Sequence, residues 1–364
     1  MAKVLIEHLT KRFGKTVAVN NLDLEVGDGE LVCFLGPSGC GKTTTLRCIA
    51  GLERQDEGNI YIDDKVVNDL SPPERDVAMV FQFPVIYPGT TVRENLEFPL
   101  KQRGYPKNEI SKRVSEIAEM LKIQAILEED ASNLNVSERQ RVALGRALVR
   151  SPKVLLLDEA LTNLDTPLKL AMISELKRLH EELRQTTIYV THDQSEAMML
   201  ADRIAVLNLG VLQQYDTPEK LYDLPKNLFV GGFIGSPAME FLECIFDGKT
   251  GAVSVYGFHY DVSGFKKLIE DKATSSELVL GVRPEHIVVH RACGKKDHMK
   301  GKVDVVEFIG DYLSLDVVLN GRTIKVLSLP GETIEAGNDV CIELTKFYLF
   351  DKKTEEVICR WEHA

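Results

Sequence analysis

The sequence predicts a two-domain chain: an α/β domain over residues 1–235 with a helical subdomain at about 84–150, followed by an all-β domain over 236–364. Three observations predict it. Up to about residue 235, short apolar runs alternate with segments of helical periodicity, the pattern of α/β architecture. From about 84 to 150 the strand-like runs stop and helical spacing takes over. Beyond Gly235-Ser236-Pro237 the character changes to the two-residue alternation of half-buried strands. A length of 364 residues also exceeds what one hydrophobic core usually organises.

Within the first domain, Leu31–Leu35, Val154–Leu157, Thr187–Val190 and Arg203–Leu207 are short apolar runs that read as buried strands. Ile110, Val114, Ile117 and Leu121 recur at helical spacing, as do Leu176, Leu179 and Leu183. In the second domain, Val253–Tyr256, Val303–Val306 and Leu313–Val317 alternate. Asn320-Gly321 separates Leu313–Leu319 from Arg322–Leu327, a strong two-residue hairpin signal. Short strands and tight turns of this kind suit small barrels of the OB type.

Composition narrows the function classes. Hydrophobic residues make up 44% and charged residues 27%, ordinary for a soluble globular protein. A net charge of -11 argues against a general nucleic-acid binder, which carries a basic excess. The seven cysteines are scattered and never spaced C-x-x-C, so free thiols in a reducing compartment are expected rather than a disulfide framework or a zinc site. The N-terminus lacks a signal-peptide core, and no apolar run approaches the ~20 residues that span a bilayer. Any membrane role is expected to come through partner chains.

The chemistry begins at Gly36-Pro37-Ser38-Gly39-Cys40-Gly41-Lys42-Thr43, which matches G-x-x-x-x-G-K-[ST] between an apolar strand and the helical run that starts near Thr44. Glycines let the backbone wrap a phosphate, so that successive N–H groups and a helix N-terminus face the anion. Lys42 would reach the β- and γ-phosphates of ATP and the Thr43 hydroxyl would coordinate Mg²⁺. The same N–H groups are expected to lower the pKa of Cys40 and to make it alkylatable. Val154–Glu159 has the form of the second element of such sites: Asp158 at the strand end would hold Mg²⁺ through water, and Glu159 could polarise the attacking water.

With these residues the chain resembles the ABC ATPases. Gln82 in Val80-Phe81-Gln82, Thr162–Asp165 and Thr191-His192-Asp193 stand in the order and spacing of that family's Q-loop, D-loop (Asp165) and H-loop. Ala201–Ile204, Thr217–Glu219, Asn227–Val230, Phe233–Pro237 and Gly281–Glu285 are similar to stretches of bacterial sugar-importer ATPases of the maltose type, which carry a C-terminal regulatory domain of OB-like, TOBE-type barrels. The resemblance implies that Phe13 stacks on adenine. It also implies that His192 contacts the γ-phosphate and that Gln82 links Mg²⁺ and the attacking water to the membrane partner. It further implies a dimer with a second ATPase subunit, two transmembrane permeases, an extracytoplasmic solute-binding protein acting indirectly, and a peripheral place on the cytoplasmic face of the membrane.

One motif departs from that pattern. Where the family has Leu-Ser-Gly-Gly-Gln, this chain has Leu134-Asn135-Val136-Ser137-Glu138, and Ala160 stands where proline is usual after the catalytic glutamate. In the family, this segment caps a helix and reaches the γ-phosphate of the opposite subunit. Val136 adds a β-branched side chain where backbone must approach closely, and Glu138 sets a carboxylate against an anion. Ser137 and Gln140 keep capping-box spacing, so the helix is expected to start normally. The site completed by this signature is therefore expected to be slow or dead, which favours a heterodimer with one competent site over a weakly active homodimer. Two other classes compete with uptake of a sugar, polyol, glycerol or glycerol phosphate. A ribosome- or DNA-acting ABC ATPase would show two cassettes or long coiled-coil inserts, and neither is present. A regulatory module acting through the C-terminal barrels is compatible with transport.

Overall fold

The computed structural model describes residues 2–162, 164–291, 299–329 and 334–362. Contacts divide the chain into two compact units, Met1–Glu219 and Lys220–Ala364.

The first unit holds two sheets. Its six-stranded sheet runs Val211–Asp216, Arg203–Asn208, Leu31–Leu35, Thr187–Thr191, Val154–Asp158, Val77–Val80, and all neighbours are parallel except the first pair. Leu31–Leu35, Val154–Asp158 and Thr187–Thr191 are buried at every residue, as expected for central strands covered on both faces. That double burial is why the sequence shows them as continuous apolar runs. Crossover connections put the C-terminal ends of the five parallel strands on one edge, where such sheets carry their ligands. A second, antiparallel sheet of order Thr16–Val26, Val4–Phe13, Glu57–Ile62, Lys65–Val66 shares its core, with Ile6, Leu24 and Ile60 packed alongside Phe34, Leu156 and Val190.

Between the strands Val77–Val80 and Val154–Asp158 lie the helices Val92–Gln102, Lys107–Met120 and Val136–Leu148. Ile110, Val114 and Ile117 form the buried stripe of the second of these, as their spacing predicts. Gly145 admits this packing: a Cβ there would stand 2.8 Å from Leu96 Cδ2 and 3.1 Å from Leu121 Cδ1.

The second unit is antiparallel throughout its two sheets. One has six strands in the order Phe258–Asp261, Ala252–Val255, Glu240–Asp247, Glu277–Val282, Lys346–Asp351, Val357–Glu362. The other has five, in the order Ile287–His290, Asp339–Leu344, Met299–Phe308, Leu313–Leu319, Arg322–Ser328. Residues of both sheets, among them Leu242, Val253, Leu280, Val317, Ile324 and Leu349, form one core. The Asn320-Gly321 turn joins Leu313–Leu319 to Arg322–Ser328 in register Leu319↔Arg322. Asn320 and Gly321 both have positive φ, 48° and 83°, the backbone that a two-residue hairpin turn requires. Cys33, Cys40, Cys48, Cys244 and Cys359 are free and buried, whereas Cys341 is disulfide-bonded, which corrects the expectation of free thiols throughout.

Candidate active site

The phosphate loop hangs between the strand Leu31–Leu35 and the helix Lys42–Ala50. Its shape is imposed by glycine. Gly36, Gly39 and Gly41 have φ of 155°, 78° and 101°. A Cβ at Gly36 would fall 2.2 Å from Leu207 O, and one at Gly41 would fall 2.3 Å from Ala18 O, so neither position admits a side chain. Pro37, Ser38 and Gly39 form the outer bend, with Ser38 and Gly39 exposed and Cys40 buried. No side chain caps the helix at Gly41, and its first ladder bond is Thr45 N–H to Gly41 O at 2.9 Å. The amides of Lys42, Thr43 and Thr44 precede that bond, the usual unsatisfied donors of a helix start. Uncapped amides with the positive end of the helix dipole make an anion site, which fits the triphosphate of ATP.

Lys42 is buried in this loop. Its ammonium donates to Gly36 O at 2.7 Å and Pro37 O at 2.9 Å and lies 3.7 Å from Cys40 Sγ. The cation thus sits among loop carbonyls, held where a phosphate would approach. Cys40 corrects an expectation. Burial pushes its thiol pKa up, and the neighbouring Lys42 charge only partly offsets that, so the thiol is shielded and not activated.

Thr43 Oγ1 donates to Asp158 Oδ1 at 2.9 Å, which joins the helix start to the end of a central strand. Burial raises the Asp158 carboxyl pKa, with the Thr43 hydrogen bond and Arg47 working against it. A buried carboxylate beside a hydroxyl is the oxygen donor set that Mg²⁺ prefers. These two groups would hold the ion, and a bound Mg²⁺ would supply charge neutralisation at the phosphates.

Glu159 follows directly and sits at φ 47°, a left-handed backbone rare for a side chain this long. Its amide donates to Val190 O at 2.9 Å, which fixes this bend against the next strand. The carboxylate is bracketed: Gln82 Nε2 donates to Oε2 at 3.3 Å, and His192 Nδ1 lies 3.4 Å from Oε1. Four separate segments, after Leu31–Leu35, Val77–Val80, Val154–Asp158 and Thr187–Thr191, therefore deliver Lys42, Gln82, Glu159 and His192 to one edge of the sheet. Such an arrangement can bind an anion, position a divalent cation and offer a carboxylate as base to a water.

The remaining expected residues lie elsewhere. Phe13 ends its strand 48% exposed, with Lys11 Nζ 5.0 Å from the ring centroid, open to stacking. Asp165 precedes the helix Thr166–Leu183 and accepts the Lys169 amide through its carbonyl at 2.8 Å, while Asn163 of the same motif lies outside the described residues. The signature segment starts its helix by a different cap from the one read in the sequence. Asn135, not Ser137, is the N-cap: its Oδ1 accepts from Glu138 N at 3.0 Å, and Glu138 Oε2 accepts from Asn135 N at 2.9 Å. Ser137 turns inward, with its hydroxyl buried and unpartnered, and Val136 is 52% exposed. The carboxylate of Glu138 thus closes over its own helix start, and two amide donors are consumed internally.

Three features escaped sequence reading. Arg146 of the signature helix donates to Val85 O at 2.6 Å and stacks on Tyr87 at 4.0 Å, gripping the segment that follows Gln82. Tyr87 in turn packs edge-on against Phe98 at 4.8 Å. The third is an ion cluster of Lys169, Asp193 and Glu196 behind His192. Only Asp193-x-x-Glu196, with the spacing of a helix cap, signalled it in advance.

Comparison with known proteins agrees with this geometry. Residues 19–162 match the ABC transporter family model, residues 235–287 the MalK OB fold domain and residues 280–346 the TOBE domain. The chain is 44% identical over 375 residues to the trehalose/maltose import ATP-binding protein MalK of Thermococcus litoralis, covering 98% of this chain and 100% of that protein. It is 42% identical to the sn-glycerol-3-phosphate import ATP-binding protein UgpC of Ruegeria sp. TM1040, covering 97% of this chain and 98% of the relative. Among solved structures it is similar to the CbiO1 part of an ABC transporter complex from Clostridium perfringens, with TM-score 0.57, 26% identity, and 60% and 89% of the two chains covered. A dimeric ATP-binding cassette in a post-hydrolysis state bound to ADP and Pi gives TM-score 0.53 at 31% identity, covering 59% of this chain and 98% of the other. A phosphate loop at the sheet edge, an acidic pair at the end of another central strand of the same sheet, and full-length similarity to import ATPases together place this chain in the family of ABC transporter ATP-binding proteins, ATPases that drive transport, with C-terminal MalK-type OB and TOBE domains.

Proposed function

We propose that the chain is the ATP-hydrolysing subunit of an importer for a small solute, a sugar, polyol, glycerol or glycerol phosphate, and that it works against the cytoplasmic face of the membrane. The observation that carries the hydrolytic part is the convergence of Thr43, Asp158, Glu159, Gln82 and His192, with Thr43 at 2.9 Å from Asp158 and His192 at 3.4 Å from Glu159. The solute class follows from the relatives, whose names cover trehalose/maltose, oligosaccharides and sn-glycerol-3-phosphate. Among the described residues no helix is long and apolar enough to cross a membrane. In this reading two permease chains supply the path and a solute-binding protein feeds them, as the similarity to import ATP-binding proteins suggests.

A groove of about 560 Å³ lies beside Gln82, lined by Phe81, Val85, Tyr87, Phe98 and Arg146 among others. Its aromatic and aliphatic lining, flanked by Gln102, Arg103, Arg146 and Arg150, suits an amphipathic helix of a permease. Arg146 joins that groove to the signature helix, so movement of one is felt by the other. The closed cap at Asn135–Glu138 supports the heterodimeric reading: this chain's own phosphate loop is complete, and a partner subunit with an open signature would complete it. The C-terminal unit is the place for regulation. Uptake of labelled candidate solutes into a strain lacking the chain tests the proposal. Restoration by the wild type and not by Glu159→Gln is expected, and equal restoration by both would refute it.

A further inference from the structure

Besides the 3.4 Å contact of its ring with Glu159, His192 is held through the residues on either side of it. Thr191, which precedes it, ends the strand; its hydroxyl accepts from the Asp193 amide at 3.0 Å and donates to Glu196 Oε2 at 2.6 Å. Asp193, which follows it, caps the helix Gln194–Leu200 through Oδ1, accepting from Ser195 N at 2.9 Å and Glu196 N at 3.3 Å. Glu196 is 1% exposed and also accepts from the Tyr189 hydroxyl. One cation serves both carboxylates: Lys169 Nζ lies 3.0 Å from Asp193 Oδ2 and 3.0 Å from Glu196 Oε1. Lys169 belongs to the first turn of the helix that starts at Thr166, and its amide donates to Asp165 O at 2.8 Å. The same residue therefore touches the backbone of Asp165 and the carboxylates that flank and support His192.

We propose that Lys169 is a positioning residue that ties the Asp165 segment to His192 through Asp193 and Glu196, so that the ring stands over Glu159 only while this clamp is closed. The proposal rests on the hydrolytic reading of Glu159 and His192 and deepens it. Burial of Glu196 makes the clamp stiff. A carboxylate this deeply buried needs a cation and hydrogen-bond donors, and Lys169, Tyr189 and Thr191 supply them in one geometry. Burial works against the Lys169 charge, but the two carboxylates outweigh it and raise the ammonium pKa, so the clamp stays charged. A signal at Asp165 thus reaches His192 through a backbone hydrogen bond and two ion pairs.

The test uses the full-length chain with isotope-labelled histidine, the His192 signal being identified by its loss in His192→Ala. In Lys169→Met the His192 ring resonance should shift and broaden, and Lys169→Arg should restore it. Asp193→Asn, which keeps the cap oxygen and removes the charge, should shift it in the same direction. This second variant keeps the question open should Lys169→Met fold poorly. Hydrolysis in the assembled transporter should fall on the order of 10-fold to 100-fold for Lys169→Met with KM for Mg-ATP nearly unchanged, the size expected when a reacting group is misplaced. In a His192→Ala background the same change should cost nothing further. An unmoved His192 resonance in both variants overturns the clamp, as does a Lys169→Met loss that persists undiminished without His192. Failure of the hydrolytic reading is separate: it would appear as His192→Ala retaining wild-type turnover while the resonance shifts remain.

Discussion

Replacing Asn135, Val136, Ser137 and Glu138 by Ser, Gly, Gly and Gln should remove the carboxylate and the β-branched side chain that the present residues set at this helix start. In the present structure the Asn135 amide is taken by Glu138 Oε2 at 2.9 Å and the Glu138 amide by Asn135 Oδ1 at 3.0 Å, so a carboxylate stands at this helix start. Serine is about as good an N-cap as asparagine, and glutamine preserves the reciprocal cap without the charge. Each glycine costs about 0.5–1 kcal/mol of helix stability, so the variant should lose roughly 1–2 kcal/mol in all. The gain is larger. One preorganised donor at a developing charge is worth about 10²–10³ in rate. Hydrolysis at the partner's phosphate loop should therefore rise by about 10²-fold, provided that the partner's own glutamate and histidine are intact, while the site built on Lys42 and Glu159 stays within about twofold. The assay is steady-state ATP hydrolysis of the assembled transporter, with each phosphate-loop lysine changed in turn to isolate one site. An unchanged partner-site rate in a variant that still folds would show that neither the Glu138 charge nor the Val136 side chain impairs that site.

Other outcomes follow from the same structure. Lys42→Ala should abolish measurable Mg-ATP binding by fluorescent-nucleotide titration without unfolding the chain; retained affinity would undo the phosphate-loop assignment. Asp158→Asn should raise the melting temperature of the nucleotide-free chain slightly, because burial raises this carboxyl and its ionised form costs stability above that pKa, a cost that vanishes on acidification through it. The same variant should lose the extra stabilisation that Mg²⁺ adds to bound ATP, as scanning calorimetry would show. Asp351 behaves in the opposite sense. Burial would raise it, but hydrogen bonds from Thr354, Thr274 and Lys353 hold it well below the usual carboxylate range. Its contribution is therefore present above about pH 4 and lost as pH falls below that, and Asp351→Asn should flatten the acid limb of a denaturation series. Cys40 should react with alkylating reagents more slowly than an exposed thiol even without nucleotide, a point for timed mass spectrometry.

The central strands were legible because burial on both faces removes polar alternation: Leu31–Leu35 and Val154–Asp158 appear as unbroken apolar runs. The hairpin at Asn320-Gly321 was legible because few residue pairs accept two positive φ angles in succession. The N-terminal antiparallel sheet was less so. Its strands pair through register shifts, as between Ile6 and Leu9, which break the two-residue period that sequence reading relies on. Among the candidate site residues, those fixed by covalent spacing, such as Gly36, Lys42, Asp158 and Glu159, stand out in the sequence by motif alone. Those fixed by long-range packing could not: Lys169 reaches Asp193 across 24 residues, and Arg146 reaches Val85 across 61. The signature cap was misplaced for a local reason. Two overlapping capping patterns compete there, and Asn135 won because its extended backbone, φ -72° and ψ 172°, is the N-cap conformation.

The proposed hydrolysis depends above all on Glu159 as the base of a competent site, with its carboxylate held between Gln82 and His192 at 3.3 Å and 3.4 Å. Single-turnover hydrolysis of Mg-ATP by the assembled transporter carrying Glu159→Gln tests it directly. Nucleotide should bind as tightly as in the wild type, with cleavage slower by about 10²–10⁴, the range that a positioned general base supplies. Cleavage at the wild-type rate, with ATP still bound at this chain's phosphate loop, would contradict it.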